Sequence, residues 1–329
     1  MELNALAMHP AVDSAERMLK TGLRYVSAVN QSRARALLDP VYETAADHLV
    51  RNVPLSPQLQ AARYDENLFF AYRDTARRLT YSIDDWDWSQ ARPELLTPRQ
   101  RAFLHGSTIG ETSGFAVGAG FLHAFRNDPE LGSFFGIWFS EELNHYWGYH
   151  RYMEKLGEGY DRARKEAVTA VDFRAYSEDC MEMAAANMYQ ELVAYLIYRS
   201  YARQVADPFL AKMVDTFAKD ELRHYKFYES VVARQIQREP GFRKLVLKHF
   251  FKATTPMNQV SGGARKTVGY LSTAAFYFRK REFEFLLKQA EFLFGTRLEP
   301  LFSFFYRRHL PPCAACGEEV FRCGCEKYD

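Results

Sequence analysis

The chain has 329 residues, and 43 Lys+Arg against 41 Asp+Glu leave a formal net charge of +2. That length supports one large domain or two ordinary ones, while near-neutral charge argues against a protein dominated by phosphate-backbone contacts, so no nucleic-acid partner is expected. At 47% hydrophobic and 26% charged the composition is globular, not disordered; the unusual figure is 15% aromatic, more than core filling ordinarily needs.

MELNALAMHP lacks a basic segment followed by an apolar one, so no secretory signal is expected. The charge-free run between Glu111 and Arg126 is too short to span a bilayer. Of the five cysteines, four fall at or after residue 313 and Cys180 stands apart. That distribution is not a disulfide framework, and it points to a cytoplasmic location.

In chain order, helical patterns cover 10–37, 41–51 and, after Pro54, 56–79. Asp84-Asp85-Trp86-Asp87-Trp88 reads as a surface connection. Thr97-Pro98 is a helix start, a hydroxyl cap followed by proline in the first turn. Long helices follow at 98–126, 130–156, 173–206 and 208–236, rich in Leu, Ala, Met, Glu, Arg and aromatics. Shorter ones are expected at 240–253, 264–275 and 278–308, interrupted by Pro256 and Gly262-Gly263. The expected fold is all-α: one helical domain over 1–310 with its core at about 98–236, then a cysteine-rich tail over 311–329.

The central region repeats itself. Asp128-Pro129 recurs as Asp207-Pro208 and Glu142-Leu-Asn-His145 as Glu221-Leu-Arg-His224, both shifted by 79, while Glu111 recurs as Glu191, shifted by 80. Each half is a helix with one Glu, an Asp-Pro turn and a return helix with Glu-x-x-His. Duplication of that hairpin builds an antiparallel four-helix bundle.

Residues three apart share a helix face, so Glu142 and His145 project together, as do Glu221 and His224. Antiparallel packing then brings Glu111, Glu142, Glu191 and Glu221 with both imidazoles to one depth. Buried carboxylates without partners cost several kcal/mol each, and two divalent cations would cancel the four charges. Imidazole with carboxylate suits iron or manganese, the dinuclear pattern of ferritin-like bundles. A lone Glu-x-x-His is ordinarily a solvated face; two copies at one offset, each with its own upstream Glu, are not.

EELNHYWGYHRYMEKLG (141–157), the Tyr189–Glu191 region and DELRHYKFYESVV (220–232) resemble the soluble acyl-carrier-protein desaturases, with TPMNQV (255–260) and FEFLLKQAEFLFG (283–295) in line after the bundle. The resemblance runs from about 97 to 295 and is loose before that. It implies that Glu111, Glu142, His145, Glu191, Glu221 and His224 are iron ligands, with Glu142 and Glu221 bridging. It also implies that Glu141 and Asp220 accept the outer N–H of the ligand imidazoles, with Arg223 neutralising them. An acyl chain on a carrier protein, a ferredoxin-type electron donor and a homodimer are implied as well. Two positions depart from related patterns. Desaturases often carry a threonine three residues after the third-helix Glu, where this chain has Ala194. Arylamine N-oxygenases carry an extra histidine where this chain has Phe217. Desaturation, hydroxylation and another two-electron oxidation all remain open.

Gly114 and Gly118 lie on the Glu111 face, and an interior glycine costs about 0.8–1 kcal/mol relative to alanine. They read either as room for an extended apolar substrate, in a pocket with Ala194 and Phe217, or as close helix packing. Most of the aromatics on these helices read as core. FRKREF (278–283) and Arg265-Lys266 read as solvated charge or as a patch for an acidic carrier. The expected activity is a di-iron, O2-dependent oxidation of a carrier-bound acyl substrate. Its rivals are a di-iron oxygenase or N-oxygenase acting on an amino-acid or aryl substrate, and a non-catalytic ferritin-like iron-handling protein.

Cys313, Cys316, Cys323 and Cys325 have the number and spacing to hold a tetrahedral zinc or a single iron, structural zinc in a small knuckle being the favoured reading, with free thiols or redox use as the alternatives. If they hold zinc, replacing all four with serine removes zinc from the purified protein by elemental analysis; unchanged zinc content excludes the knuckle.

Overall fold

The computed structural model describes residues 9–27, 31–64, 67–158, 177–254 and 280–301. The cysteine tail, residues 255–279 with Arg265-Lys266, and the expected helix at 264–275 lie outside the described residues. Among those described, every regular element is helical, and no helix is long and apolar enough to cross a membrane. The helices are α1 (Pro10–Ser27), α2 (Gln31–Asn52), α3 (Pro57–Ala61), α4 (Leu68–Leu79), α5 (Pro98–Phe125), α6 (Pro129–Lys155), α7 (Cys180–Ala202), α8 (Pro208–Arg238), α9 (Arg243–Thr254) and α10 (Lys280–Phe294). They group into two compact units.

The unit over 65–230 is, in its described residues, a helical bundle of α5, α6, α7 and the first part of α8, with α4 packed on α6. Its helices begin where the sequence stops competing with them. Thr97 caps α5 in a reciprocal box with Gln100, and Pro98 occupies the first turn. Asp128 accepts from the amides of Glu130 and Leu131, and Asp179 from those of Met181 and Glu182. Asp207 accepts from Phe209 and, through its other oxygen, from the Arg92 amide at 2.9 Å and the Tyr152 hydroxyl. Such caps stabilise a helix by about 1 kcal/mol each. Gly157 closes α6 at φ 74°, a left-handed conformation that glycine adopts without strain.

Aromatic rings fill the interior. Phe134 stacks on Phe227 at 3.9 Å with Tyr72 edge-on at 4.7 Å, and Phe121 lies 5.2 Å from Trp138. Each fully buried side chain of this kind contributes about 1.5–3 kcal/mol. The Asp84–Trp88 segment differs from its expectation as a surface connection. Its aspartates are exposed, but Trp88 is buried and Trp86 stacks on Tyr81 at 5.5 Å and on Phe217 at 5.9 Å. Short 3-10 turns at Ile83–Asp85 and Trp88–Gln90 put acids outward and indoles inward.

The other unit contains α1, α2, α3, α9, α10 and the end of α8. The expected break before residue 41 does not occur, because α2 runs unbroken through Pro40. An interior proline costs roughly 3 kcal/mol, offset here by packing of α2 on both α1 and α9. The expected helix over 56–79 instead divides, because Ala62 turns extended and Asn67 caps a new start. Helix α10 ends at Phe294, and Gly295 follows at φ 72°. A Cβ there would stand 2.7 Å from the Ser56 amide nitrogen.

Arg243 secures this unit from the inside. Its guanidinium donates to the carbonyls of Val50 (3.2 Å), Val53 (2.8 Å) and Pro54 (3.3 Å), acceptors that the end of α2 leaves without helical partners. Arg243→Met is expected to lower stability by roughly 2–4 kcal/mol by orphaning those acceptors. Denaturant unfolding measures this, and a loss within about 0.5 kcal/mol, typical of a neutral surface change, contradicts the role.

Candidate metal centre

The four bundle helices each contribute to one buried cluster: Glu111 from α5, Glu142 and His145 from α6, Glu191 from α7, and Glu221 and His224 from α8. Ligand-type atoms of Glu111, Glu142, His145 and Glu221 lie within 4.8 Å of one another, and so do those of Glu142, Glu191, Glu221 and His224. Glu142 and Glu221 belong to both sets. Glu142 presents Oε2 to His145 Nδ1 at 3.5 Å and Oε1 to His224 Nδ1 at 3.2 Å. Glu221 presents Oε1 to His145 at 3.4 Å and Oε2 to His224 at 3.3 Å. Each therefore straddles the two positions, one oxygen toward each imidazole, as a bridging carboxylate must.

Both imidazoles are fully buried and turn Nδ1 inward because Nε2 is engaged outside. His145 Nε2 lies 3.1 Å from Asp220 Oδ2, and His224 Nε2 lies 2.8 Å from Glu141 Oε2. Each carboxylate is anchored in turn. Tyr72 donates its hydroxyl to Glu141 at 2.7 Å and Tyr81 to Asp220 at 2.8 Å, while Arg223 Nη2 reaches Glu141 at 2.7 Å and Asp220 at 2.6 Å. Burial, with the nearby acids, pushes both phenols well above the ordinary tyrosine range, so they remain donors at neutral pH. Two parallel arms, each tyrosine–carboxylate–imidazole, thus share one arginine. An N–H donated to a carboxylate fixes the tautomer and frees Nδ1 for a metal.

The remaining carboxylates are braced by other donors. Glu191 Oε1 accepts from Trp138 Nε1 at 3.0 Å and from Asn187 Nδ2 at 2.6 Å, and Glu111 accepts from the Tyr198 hydroxyl. The sequence signal for Asn187 was its place four residues before Glu191 on the same helix, whereas Trp138 reaches Glu191 from another helix and gave none. Tyr72 and Tyr81 gave none, since they precede the repeat and meet it only in three dimensions.

Of the residues expected to open a pocket, Gly114 has nothing within 4 Å of where a Cβ would stand. A Cβ at Gly118 would instead lie 2.7 Å from the Phe139 ring, so that glycine serves close packing. Phe217 is fully buried, 4.5 Å from the His145 ring, and its ring tip stands 2.5 Å from a Cβ placed on Gly148. It walls the ligand rather than lining a space. Ala194 is half-buried three residues after Glu191.

The donor set fits a pair of divalent cations. His145 Nδ1 and Glu142 Oε1 are buried without a hydrogen-bond partner, a costly state for polar atoms unless a cation meets them. Four carboxylates with two imidazoles are the ligand chemistry of iron and manganese. Burial, then the charge of Glu142, pushes Glu111 up to about 8, and burial with Glu142 and Glu191 raises Glu221 well above the carboxylate range. Burial opposes the Glu142 anion, yet His145 and His224 hold it well below that range. Burial also opposes charge on the imidazoles, but Glu142 beside His145, and Tyr72 with Glu141 beside His224, raise both.

Without metal, then, the protonated forms of both histidines, Glu111 and Glu221 are favoured, and entering cations would displace protons from these groups. Affinity is therefore expected to rise with pH up to about 8. The sign for stability follows. Groups with raised folded values stabilise the metal-free fold below their unfolded range, and that contribution is lost as pH rises through the folded value. The melting-temperature gap between metal-loaded and metal-free protein should widen from pH 6 to 9. Calorimetric titration with Mn2+ in buffers of different ionisation enthalpy counts the released protons; uptake with no proton release contradicts the assignment.

Residues 176–275 match a family described as fatty acid desaturase. The match spans less than a third of the chain and includes Glu191, Glu221 and His224. No curated protein sequence matches. Among solved structures, the chain is similar to variants of an R2-like ligand-binding oxidase. One carries an aerobically reconstituted Mn/Fe cofactor, with 18% identity over 73% of this chain and 91% of that chain at a TM-score of 0.49. A second has an anaerobically reconstituted Mn/Fe cofactor (19%, 71% and 92%, TM-score 0.49), and a third an aerobically reconstituted Fe/Fe cofactor (20%, 73% and 91%, TM-score 0.47). The resemblance drawn from DELRHYKFYESVV is borne out by the family match over the second helix pair. The segment that matches the desaturase family thus supplies part of a carboxylate–imidazole cluster that could hold two metal ions.

Proposed function

We propose that this chain is a di-iron, dioxygen-dependent oxidoreductase that acts on an apolar acyl chain presented by a carrier protein. The observation that carries the proposal is the pair of ligand sets sharing Glu142 and Glu221. The fatty acid desaturase match over residues 176–275 supports the acyl substrate. When bound, two iron ions supply the redox capacity to activate dioxygen against an unactivated C–H bond, which no side chain in the set can do alone.

The protein's part is to hold, orient and keep dry. Glu141 and Asp220 fix the imidazoles, and Glu142 and Glu221 set the spacing of the two positions. Phe217 against His145, with Phe134 and Trp138 6.3 and 6.2 Å from the His224 ring, excludes water from that side. The opposite edge is more accessible: the Glu142 side chain is 13% exposed against 2% for Glu221, and Gly114 beside it leaves open space. An apolar chain would approach from this Glu111–Glu142 edge. Full reduction of dioxygen to water takes four electrons and desaturation supplies two. The remaining two require an external donor, in this proposal a ferredoxin-type protein.

Aerobic turnover of acyl-carrier-protein substrates with a reducing system, followed by mass spectrometry, tests the reading. Loss of about 2 Da marks desaturation and a gain of about 16 Da marks oxygenation, both within the oxidoreductase class. An unchanged acyl mass across chain lengths, with oxygen uptake no higher than without substrate, contradicts the acyl assignment.

A further inference from the structure

We infer that the two metal positions are unequal and fill in order, the Glu191–His224 position first, and that Trp138 and Asn187 are the positioning residues that make it so. The inference rests on the two-metal reading of the site. Glu142 and Glu221 are shared, so they cannot distinguish the positions. Both imidazoles are fully buried, and each is held by an outer carboxylate. The difference falls on the unshared acids.

Glu191 is 5% exposed, and its Oε1 is held by two buried N–H donors. The Trp138 indole is itself wedged between Phe121 at 5.2 Å and Phe135 at 5.6 Å. Asn187 is 2% exposed and sits one turn before Glu191 on the same helix. With Oε1 fixed from two directions, Oε2 stands 3.5 Å from His224 Nδ1. The ordering of that carboxylate is complete before an ion arrives, which raises affinity by removing its entropic cost from binding.

Glu111 has a lighter brace. Its residue is half-buried, and its carboxylate is met by the Tyr198 hydroxyl, a donor that rotates about its C–O bond, and by the carboxyl group of Glu142, a shared residue that must itself reorient toward the ions. On α5, Gly110 precedes it and Gly114 follows one turn on, neither with any atom within 4 Å of a Cβ position. Glu111 therefore keeps freedom that Glu191 has lost, and it must be ordered as the second ion binds.

The test is titration of the metal-free full chain with Mn2+, followed by electron paramagnetic resonance and calorimetry. The expected result is a first ion bound at least about 10-fold more tightly, with the hyperfine-split signal of an isolated Mn2+ that fades as the second ion couples to it. Trp138→Phe and Asn187→Leu should each weaken the first step about 10–100-fold, the range for lost outer-shell partners. Tyr198→Phe should weaken only the second. Two ions entering in one step with equal affinity overturn the ordering, and so does a Tyr198→Phe effect confined to the first step. A total of one ion or none instead removes the two-metal reading itself. The unsubstituted protein decides the ordering even where a variant fails to fold.

Discussion

The structure turns on the problem of holding six acids and two imidazoles inside one layer of a helical bundle. Glu111, Glu142, Glu191 and Glu221 face one another, while Glu141 and Asp220 stand directly behind the imidazoles. Isolated charges in such a place would unfold the bundle, since each carries a desolvation penalty of several kcal/mol. The sequence answers with one arginine shared between the outer acids, phenols and an indole as donors, and a central space where the remaining lone pairs converge. Burial and mutual repulsion favour the protonated forms of Glu111 and Glu221, and the neighbouring acids those of His145 and His224, so cations entering the layer compete with protons.

The repeat gives the site its symmetry, and the flanking residues take some of it away. Both halves supply a glutamate, a Glu-x-x-His and an acid just before it, so the inner geometry is nearly two-fold. Neighbours drawn from outside the repeated pattern differ between the halves. Tyr72 is buried among Phe134 and Phe227, whereas Tyr81 stacks on the half-buried Trp86. Glu191 is clamped by an indole and an amide, Glu111 by a hydroxyl and by the neighbouring carboxyl group of Glu142. The chemistry of a dinuclear centre needs one closed and one open side, and this distribution of donors and exposure supplies both.

The clustering of Glu111, Glu142, His145, Glu191, Glu221 and His224 was legible because it depends on local rules that a sequence displays directly: three-residue spacing on a helix, a constant shift between repeats, and Asp-Pro turns of matched offset. The Thr97 start and the Asp128-Pro129 and Asp207-Pro208 turns were equally local, whereas the helix expected from 173 begins only at Cys180, after the Asp179 cap. What the sequence concealed was long-range. Tyr72 and Tyr81 reach Glu141 and Asp220 across 69 and 139 residues, and no periodicity announces such pairs. Pro40 misled for the complementary reason, since a local helix breaker was overruled by packing on both sides of α2. The indoles of the Asp84–Trp88 segment misled because exposed aspartates flank them. The glycines on α5 were ambiguous in sequence, and only neighbouring side chains separate Gly114, facing open space, from Gly118, filled by Phe139.

The central claim is that Glu142 and Glu221 bridge two ions held in this layer. X-ray absorption spectroscopy on the iron-loaded full chain, paired with elemental analysis, tests it most directly. The account predicts two irons per chain, oxygen and nitrogen ligands only, and a metal–metal distance of about 3–4 Å, the spacing of carboxylate-bridged pairs. A single iron per chain, or two irons with no metal–metal scattering within about 5 Å, well beyond the span of a bridged pair, would contradict it.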